Sequence, residues 1–475
     1  MLNEEVIVGV VGAGAMGAGI AQVAAQAGHR VIVLDQFEEA LSRGKDSIAK
    51  GLDALVKRGK IAEGEAKAIA ARCGWTLDVA DFSEVGLVIE AVVENSEVKR
   101  ALFQQVEDVV AGDAVIATNT SSLSVTALAS GHKNPGRYMG LHFFNPAPIM
   151  KLVEVISGAE TDEALATSAL DLMKSWGKTA VMARDVPGFI VNRVARPFYG
   201  EGWRALEEGA ADAATIDFLY RDLAGFRMGP FELGDLIGHD INTAAAKSVF
   251  DAYFGRTRFT PSLMQGRLVD AGRLGRKSGV GVYSYKGQEK PAPTFAAKSE
   301  APGDGALLRK VLADRAVDHN GARIMMCEGR TALAIAAEIG GPAVVVDFIR
   351  DPASATSIAF AASDEKAERA ALSFIAASGK NAVRLKDRAG LVVYRTLLQL
   401  ANCAADAVRD QVAEPAAIDV AMMNGVNYPF GPIAWARSES LSNVVAALDN
   451  IASECGEAIY RPSEWLRQEA RGALL

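Results

Sequence analysis

The glycine-rich stretch at residues 12–17 constrains the fold of this chain more than any other feature of its sequence. It reads Gly12-Ala13-Gly14-Ala15-Met16-Gly17 and follows an apolar run at 6–11 that suits a buried parallel strand. The next residues predict a small-residue helix that Gly28 ends, and then a second strand at 31–34. Such a strand–turn–helix–strand unit predicts a doubly wound, Rossmann-like α/β sheet.

The same loop predicts a dinucleotide site. The three glycines allow a tight turn, close approach of the backbone to a pyrophosphate, and tight helix–strand packing. Asp35 ends the second strand, where it can accept from ribose hydroxyls and would repel a 2′-phosphate, so NAD is favoured over NADP. Glycine pairs also mark ordinary turns, but here the strands, helix and acid are all present. The expected loop contacts are Gly12, Gly14, Ala15, Met16 and Gly17.

Polar residues follow two later strands of the predicted sheet. The run at 87–93 ends at Glu94, the helical stretch after it contains Lys99, and the run at 114–118 leads into Asn119 and Ser121. Ligands bind at the carboxyl ends of strands in open parallel sheets, so these residues are candidates for cofactor or substrate contact. Asn and Ser after a strand also commonly cap helices, and for Ser121 alone the two interpretations are equally good.

His142, one of five histidines, lies just after a predicted strand, and Glu154 follows twelve residues later inside an apolar strand. An acid in such a strand is costly unless it is paired, and a histidine is the obvious partner. A lone histidine is more often a core residue than a catalyst. Position alone therefore leaves both interpretations open.

Six motifs stand in order over roughly residues 5–286: Gly12–Gly17, Asn119–Ser122, Leu141–Pro146, Lys151–Glu154, Pro187–Arg193 and Leu274–Gly279. Together they resemble the L-3-hydroxyacyl-CoA dehydrogenase family. Over nearly the whole chain the sequence is most similar to the long bacterial 3-hydroxybutyryl-CoA and 3-hydroxyadipyl-CoA dehydrogenases of phenylacetate degradation. The resemblance implies reversible, NAD-dependent oxidation of an L-3-hydroxyacyl-CoA to the 3-oxoacyl-CoA.

The resemblance also implies roles for individual residues. His142 would be the general base, Glu154 would orient its imidazole, and Ser121 and Asn192 would hold the substrate oxygen. The chemistry agrees, because alcohol oxidation needs a base whose pKa is close to the operating pH. The residues that match NAD-contacting positions of the family are Asp35, Glu94, Lys99 and Asn119.

The site for CoA is less defined. Lys57 and Arg58, with Lys60, lie where the family has a substrate-binding helical hairpin, and they could contact CoA phosphates. A solvated basic helix end is an equally good interpretation.

A repeat relates the two halves of the chain. Residues 178–232 align with 380–434 without a gap, at an offset of 202, which indicates a duplicated helical domain. Tyr394 stands at the position of Asn192, and no histidine follows His319, so the second copy is expected to be structural. The runs at 322–327 and 343–347 echo the first two strands, but the loop at 328–330 lacks the glycine motif. This predicts a reduced Rossmann-like module without a cofactor, although an unrelated small α/β module is the alternative.

These observations predict an order of domains: a Rossmann domain at 1–185, an all-α domain at 186–286, a linker at 287–317, the reduced module at 318–385 and a second all-α domain at 386–475. In shorter family members the helical domains of two subunits pack together. The fused second copy could supply that contact within one chain as an internal pseudo-dimer, and a homo-oligomer is also possible.

Composition excludes several classes of function. The formal net charge of −8 argues against a nucleic-acid partner. The four cysteines lie far apart without a CxxC pair, so metal or disulfide chemistry is not expected. No apolar run is long enough to span a membrane, and the acidic residues near the N-terminus do not indicate a signal peptide, so a cytoplasmic protein is expected. Two alternatives remain at this stage: a related dehydrogenase of free hydroxy or sugar acids, and a non-catalytic NAD-binding protein.

Overall fold

The computed structural model describes residues 2–3, 5–287, 289–299 and 303–472. Within these ranges it contains two β-sheets. The strands of the first sheet are β1 (Val8–Val11), β2 (Val31–Leu34), β3 (Cys73–Thr76), β4 (Leu87–Glu90), β5 (Val115–Thr118), β6 (Tyr138–Phe143), β7 (Leu152–Ser157) and β8 (Thr179–Arg184). The strands of the second sheet are β9 (Ala316–His319), β10 (Ala322–Met326), β11 (Ala343–Val346), β12 (Ser357–Ala362) and β13 (Asn381–Arg384).

Helices connect and cover these sheets. Those of the first half are α1 (Ala15–Gln26), α2 (Glu38–Lys57), α3 (Glu63–Ala71), α4 (Ser96–Glu107), α5 (Val125–Ala129), α6 (Glu163–Ser175), α7 (Val191–Val194), α8 (Arg196–Glu207), α9 (Ala213–Ala224), α10 (Pro230–Ile237), α11 (His239–Ala252) and α12 (Leu263–Asp270). Those of the second half are α13 (Ala306–Asp314), α14 (Ala332–Ile339), α15 (Glu365–Ala377), α16 (Val393–Arg409), α17 (Pro415–Gly425), α18 (Pro432–Ser438), α19 (Leu441–Cys455) and α20 (Glu464–Gly472). No helix in the described ranges is long and apolar enough to cross a membrane.

The first sheet has the order β3-β2-β1-β4-β5-β6-β7-β8 and is parallel except where β6 meets β7. Its central strands are apolar and buried along their whole length, because helices cover both faces of a parallel sheet. Strand order reverses between β1 and β4, which is the point where such sheets form a ligand crevice. The predicted doubly wound domain is confirmed.

The second sheet has the order β13-β12-β11-β10-β9. Strands β10 and β11 pair in parallel, as their resemblance to the first two strands predicts, whereas β12 runs antiparallel to β11. The predicted linker differs from the structure, since it contains α13. The Pro, Gly and Lys content of 287–317 obscured a short amphipathic pattern in which Leu308 and Val311 face the core.

A carboxylate occupies the first amides of α14, the helix that follows β10. The two oxygens of Asp387 accept from the amides of Ala332 and Leu333 at 2.8 and 2.9 Å. A helix N-terminus that already binds its own anion has no free amides for a phosphate. The corresponding residue of the first half, Asp185, caps α5 in the same way and leaves the N-terminus of α1 untouched.

By its internal contacts the chain divides into two compact units. One contains Met1–Asn192 together with Gln411–Val426, and the other contains Arg193–Asp410 together with Asn427–Leu475. The first unit therefore includes the eight-stranded sheet and α17. The second includes the five-stranded sheet and most of the helices.

Within the second unit, α8 packs on α16, which is buried over nearly its whole length. The ion pairs that connect the copies include Arg193 with Asp410, and Arg395 with Glu208, the latter at 3.0 Å. At the offset of 202 the two arginines correspond to each other, as do the two carboxylates. A reciprocal pair of contacts of this kind is the signature of a two-fold interface.

We predict that Arg395→Met destabilises the second unit by up to about 3 kcal/mol, since it removes one of the two arginines that pair with the buried Glu201 and one of the two that pair with the partly exposed Glu208. Hydrogen exchange of the α8 and α16 amides measures this effect locally. The control is Arg369→Met, because that arginine belongs to an exposed i,i+4 pair worth less than about 0.5 kcal/mol. Equal protection in the two variants would contradict the prediction.

Candidate active site

The dinucleotide loop has the geometry that its three glycines predict. Gly12 has a φ of 99°, and a Cβ there would lie 2.8 Å from the carbonyl oxygen of Ala91. A Cβ on Gly17 would collide with the carbonyl oxygen of Gly12, so this glycine allows α1 to pack closely on β1. The Cβ position of Gly14 has nothing within 4 Å, which leaves the backbone open to a ligand.

The start of α1 suits an anion. Gly14 is its N-cap, and no side chain accepts from the first amides, beginning at Ala15. Free amides combined with the helix dipole attract a phosphate, so these residues fit the pyrophosphate of a dinucleotide. Asp35 lies beside the loop, where its carboxylate accepts from the amides of Ala13 and Phe37 at 2.8 and 3.0 Å. It therefore fixes the loop, a role that the sequence did not indicate.

Glu94 organises the segment that follows β5. One of its oxygens accepts from the Thr120 hydroxyl at 2.6 Å, from the amides of Ser121 and Ser122 at 3.0 and 3.1 Å, and from the Ser122 hydroxyl at 2.9 Å. Burial raises the pKa of Glu94, but these hydrogen bonds and Lys99 outweigh it and hold the pKa below its usual value. Glu94 is thus ionised and sets the position of Ser121.

Lys99 lies beneath this segment with only 1% of its side chain exposed. Its ammonium is 2.6 Å from Glu90 and 3.2 Å from Glu94. A buried ammonium needs such partners, and the structure places this one against carboxylates rather than at an open surface. Asn119 is likewise engaged, since its side-chain oxygen accepts from the amide of Phe143 at 2.8 Å and links the ends of β5 and β6.

The antiparallel register of β6 and β7 places His142 directly opposite Glu154. The imidazole Nδ1 lies 2.6 Å from one carboxylate oxygen of Glu154. The other oxygen accepts from the amides of Ile190 and Val191, each at 3.0 Å. Glu154 is fully buried, so these three donors provide the compensation that a buried acid requires.

Two aromatic rings and an asparagine lie near the imidazole. Phe144 and Phe189 border His142 with ring centroids 4.5 and 5.7 Å away, and Nε2 has no protein partner among the described residues. Asn192 follows the amides that bind Glu154, and its side-chain amide lies 3.4 Å from the carbonyl oxygen of Ser121. The structure therefore brings Ser121 and Asn192 together and leaves Nε2 of His142 without a partner among the described residues.

In the second half a buried carboxylate from a different strand binds the corresponding amides, and no described histidine is paired with it. Asp347 is fully buried after β11 and accepts from the amides of Val392, Val393 and Tyr394 at 2.8–3.1 Å. Val392 and Val393 correspond to Ile190 and Val191 at the offset of 202. Burial raises the pKa of Asp347, although the amides partly oppose this.

Other predicted positions lie at the surface. Lys57, Arg58 and Lys60 are exposed at the end of α2, which forms a hairpin with α3. None of them belongs to the groups that surround His142. In the described part of the chain, no cluster of His, Cys, Asp and Glu is arranged to hold a metal ion.

Two contributors to the site were not predicted. Lys178 donates to the carbonyl oxygens of Ala147 and Met150 at 2.5 and 3.0 Å and so fixes the loop after β6. Gly425, at the end of α17, packs against Leu152, Val191 and Phe144, and α17 lies along β7 and β8. Gly425 is distant in sequence and carries no motif, so no local signal could have identified it.

A histidine held by a carboxylate near the carboxyl end of β6, in a sheet that carries a dinucleotide loop, fits the class of nicotinamide-dependent dehydrogenases of alcohols. Comparison with known families identifies the particular one. A model of the 3-hydroxyacyl-CoA dehydrogenase NAD binding domain matches residues 7–186, and its C-terminal domain model matches 188–285 and 390–472. The model named 3-hydroxybutyryl-CoA dehydrogenase reduced Rossmann-fold domain matches 324–388. The chain belongs to the 3-hydroxyacyl-CoA dehydrogenase family, which uses NAD.

Relatives of two lengths are similar to it. The 3-hydroxyadipyl-CoA dehydrogenase of Escherichia coli K12 is 42% identical over 470 residues, covering 99% of this chain and 98% of that protein. The crystal structure of a 3-hydroxybutyryl-CoA dehydrogenase from Escherichia coli K12 superposes with a TM-score of 0.92, 41% identity and 99% coverage of both chains. The mitochondrial hydroxyacyl-coenzyme A dehydrogenase of Sus scrofa is 39% identical over 284 residues, covering 58% of this chain and 90% of that protein. These matches confirm the predicted resemblance and the order of fold types.

We predict that Gly425→Val lowers kcat. Its side chain would overlap Leu152 and Val191 at Cβ distances of 2.6 and 3.0 Å and would press on Phe144 at 3.6 Å, next to the His142 ring. Overpacking of this kind costs about 1–3 kcal/mol of stability. The accompanying displacement of the His142 ring should lower the rate by roughly tenfold or more. Gly64→Val is the control, because that helical glycine has nothing within 4 Å of its Cβ position. NAD affinity should be similar in both, and an unchanged kcat for the Gly425 variant would refute the prediction.

Proposed function

We propose that this chain oxidises L-3-hydroxyacyl-CoA with His142 as the general base. The observation that carries the proposal is the hydrogen bond between Glu154 and His142 Nδ1, because it fixes the tautomer that leaves Nε2 able to accept the 3-hydroxyl proton. Glu154 stabilises the imidazolium that results. Ser121 and Asn192 hold the substrate oxygen while it becomes a carbonyl. NAD, when bound, is the acceptor of the hydride from C3, the carbon that carries the hydroxyl group.

The cofactor side of the proposal rests on the residues that fit a dinucleotide. The loop at Gly12–Gly17 would hold the pyrophosphate at the start of α1, and Asp35 would accept from the adenosine ribose. Glu94 and Asn119 would contact the nicotinamide end. Lys99 acts through Glu94, whose carboxylate it neutralises.

The substrate side is less specified. The names of the long relatives support a four-carbon or a dicarboxylic six-carbon acyl group. We further propose a role in fatty-acid or phenylacetate catabolism and a location in the cytoplasm. Lys57 and Arg58 are exposed cations that could approach CoA phosphates. We propose that the domain bounds are 1–185, 186–286, 318–385 and 386–475, joined by the segment 287–317, which contains α13.

We further propose that the two helical copies form an internal pseudo-dimer. The reciprocal pairs Arg193–Asp410 and Arg395–Glu208 support this, since each contact occurs twice with the copies exchanged. A tyrosine hydroxyl also accepts from each arginine: Tyr253 from Arg193 at 2.9 Å, and Tyr460 from Arg395 at 2.7 Å. The second copy has the interface residues although it lacks the catalytic histidine and the glycine loop.

We predict that His142→Gln lowers kcat/KM by about 10²- to 10⁴-fold while NADH binding, followed by fluorescence, is retained. Glu154→Gln should cause a smaller loss and a shifted pH profile, because the amide still accepts from Ile190 and Val191 but disturbs the tautomer of His142. The matched control is Asp347→Asn in the second half, a buried carboxylate with no histidine, which should lower stability and leave kcat unaltered. Wild-type turnover in the His142 variant would sink the assignment.

The acyl carrier provides a second test. We expect reduction of NAD with 3-hydroxybutyryl-CoA to exceed that with free 3-hydroxybutyrate by at least about 100-fold in kcat/KM, since the CoA moiety supplies binding energy that the free acid lacks. Comparable rates with both substrates would favour a dehydrogenase of free hydroxy acids. Absence of NADH formation with either substrate would refute the proposed reaction as a whole.

A further inference from the structure

Lys178, at the start of β8, is a cation whose partners are backbone oxygens. Its Nζ donates to the carbonyl oxygens of Ala147 and Met150, and within the described residues it forms no ion pair. Lys99 of the same unit, by contrast, lies against two carboxylates. Removing an ammonium from water requires compensation, and here two carbonyls of one short segment supply it.

Those carbonyls belong to a tight turn that follows β6. The amides of Ile149 and Met150 both donate to the carbonyl oxygen of Pro146 at 3.0 Å, and these two bonds close the turn. The carbonyl oxygens of Ala147 and Met150 take no part in them. An ammonium carries three N–H donors on one nitrogen, so the single side chain of Lys178 binds both oxygens and clamps the turn.

The turn adjoins the base side of the candidate site. Strand β6 ends at Phe143, and Phe144 leads from it into the turn. The ring of Phe144 borders the imidazole of His142 at a centroid distance of 4.5 Å. The path of the turn therefore sets where this ring lies against the imidazole.

The turn also contacts the helix that begins at the dinucleotide loop. At Gly19 of α1, a Cβ would lie 3.1 Å from Cδ of Pro148 and 3.2 Å from Cβ of Ala147, so the turn packs directly on the helix backbone. The first amides of this same helix fit the pyrophosphate. One clamped turn thus touches both the neighbour of the imidazole and the helix for the cofactor. Hydride transfer requires the separation of base and cofactor to be fixed.

The surroundings of Lys178 determine the pH range in which it is charged. Helix α1 contains no ionisable side chain between Ala15 and Gln26. Burial, rather than a neighbouring charge, lowers the pKa of Lys178 to about 8. The titratable groups on the elements packed around this part of the sheet include Lys151 of the turn, Glu154 of β7, Lys174 of α6, Arg184 of β8, Asp419 of α17 and His29 beside Trp176.

We propose that Lys178 is a positioning residue whose ammonium, through the turn after β6, couples His142 to the dinucleotide-binding helix, and that turnover slows when this ammonium is lost. The inference rests on the proposed function, because the coupling is measured in the rate of hydride transfer. Charge-assisted hydrogen bonds are about twice as strong as neutral ones, so the neutral amine holds the two carbonyls less firmly. The lowered pKa brings this change into mildly alkaline solution.

Stability and turnover should respond to this deprotonation in opposite directions. The pKa of Lys178 in the folded protein lies below its ordinary value of 10.5, so between about pH 8 and pH 10.5 the unfolded state binds more protons. The contribution of Lys178 to the free energy of unfolding therefore rises with pH in this window while its hold on the turn weakens. A loss of turnover caused by unfolding would instead accompany falling stability.

The first experiment follows kcat from pH 7 to pH 9.5 in the wild type and in Lys178→Arg, with the free energy of unfolding measured alongside. Arginine stays charged over this range and has donors for both carbonyls. The wild-type kcat should fall by about 3- to 10-fold, the value of one weakened hydrogen bond, and kcat of the variant should not fall. An alkaline fall of equal size in both proteins, or none in the wild type, would overturn the inference.

The second experiment removes the amine. Lys178→Met should lower kcat at pH 7 by about tenfold and abolish the alkaline fall, because the turn then has no clamp at any pH. The matched control is Lys380→Met: Lys380 stands at the corresponding position of the second copy, and it donates to the carbonyl oxygen of Ala355. Its kcat and pH profile should equal those of the wild type. An equal loss in the control, or wild-type kcat in Lys178→Met, would overturn the inference.

Hydrogen exchange separates failure of the clamp from failure of the proposed function. The amides of Ile149 and Met150 close the turn, and they should exchange faster in Lys178→Met than in the wild type at the same pH. Equal exchange would overturn the inference without reference to any substrate. Absence of NADH formation by the wild type would refute the proposed function and with it the coupling, whereas faster exchange would still support the clamp.

Discussion

The buried carboxylate of Glu154 is the interaction on which the candidate site depends. It joins three parts of the chain at once: the histidine of the adjacent strand, its own strand β7, and the turn that leads into α7. Each of its oxygens is satisfied, so the acid tolerates full burial, and the imidazole cannot rotate without breaking the pair. Because the amides of Ile190 and Val191 bind the same group, the position of Asn192 follows from it. A single desolvated acid thus positions the proposed base, His142, and one of the groups proposed to hold the substrate, Asn192.

Comparison of the two copies distinguishes the contacts that cap a helix from the contact that orients a histidine. Asp347 accepts from amides that correspond to those bound by Glu154. The turn before these amides contains two residues with left-handed φ angles in each copy. They are Gly188 and Phe189, with φ of 78° and 45°, and Gly390 and Leu391, with φ of 75° and 51°. A left-handed bulky residue is strained, so its presence in both copies indicates that capping the helix with a buried acid outweighs the strain. What differs is the histidine. In the described second half the acid only closes a helix, whereas in the first half it also holds a base.

The sequence predicted those parts of the fold and site that depend on local pattern. The geometry of one strand–helix–strand unit sets the spacing of the glycines at 12, 14 and 17 and of the acid at 35. The pairing of His142 with Glu154 was predictable because an isolated acid in a strand needs a partner. Contacts between distant segments were not predictable. The burial of Lys99 between two carboxylates depends on the packing of α4 against β4, and Gly425 reaches β7 from a helix more than 250 residues away. The helix α13 was not predicted, because the Pro, Gly and Lys content of 287–317 obscured its short helical periodicity.

The placement of the second helical copy explains why it persists without a base or a cofactor loop. Its longest helix, α16, is buried against α8 and provides reciprocal partners for Arg193 and Arg395, whereas its next helix, α17, belongs to the unit that contains His142. Loss of the first contact would leave buried arginines and acids unpaired, and loss of the second would uncover the apolar face of β7 and β8. These two packing contacts can be conserved without any catalytic residue in the second copy.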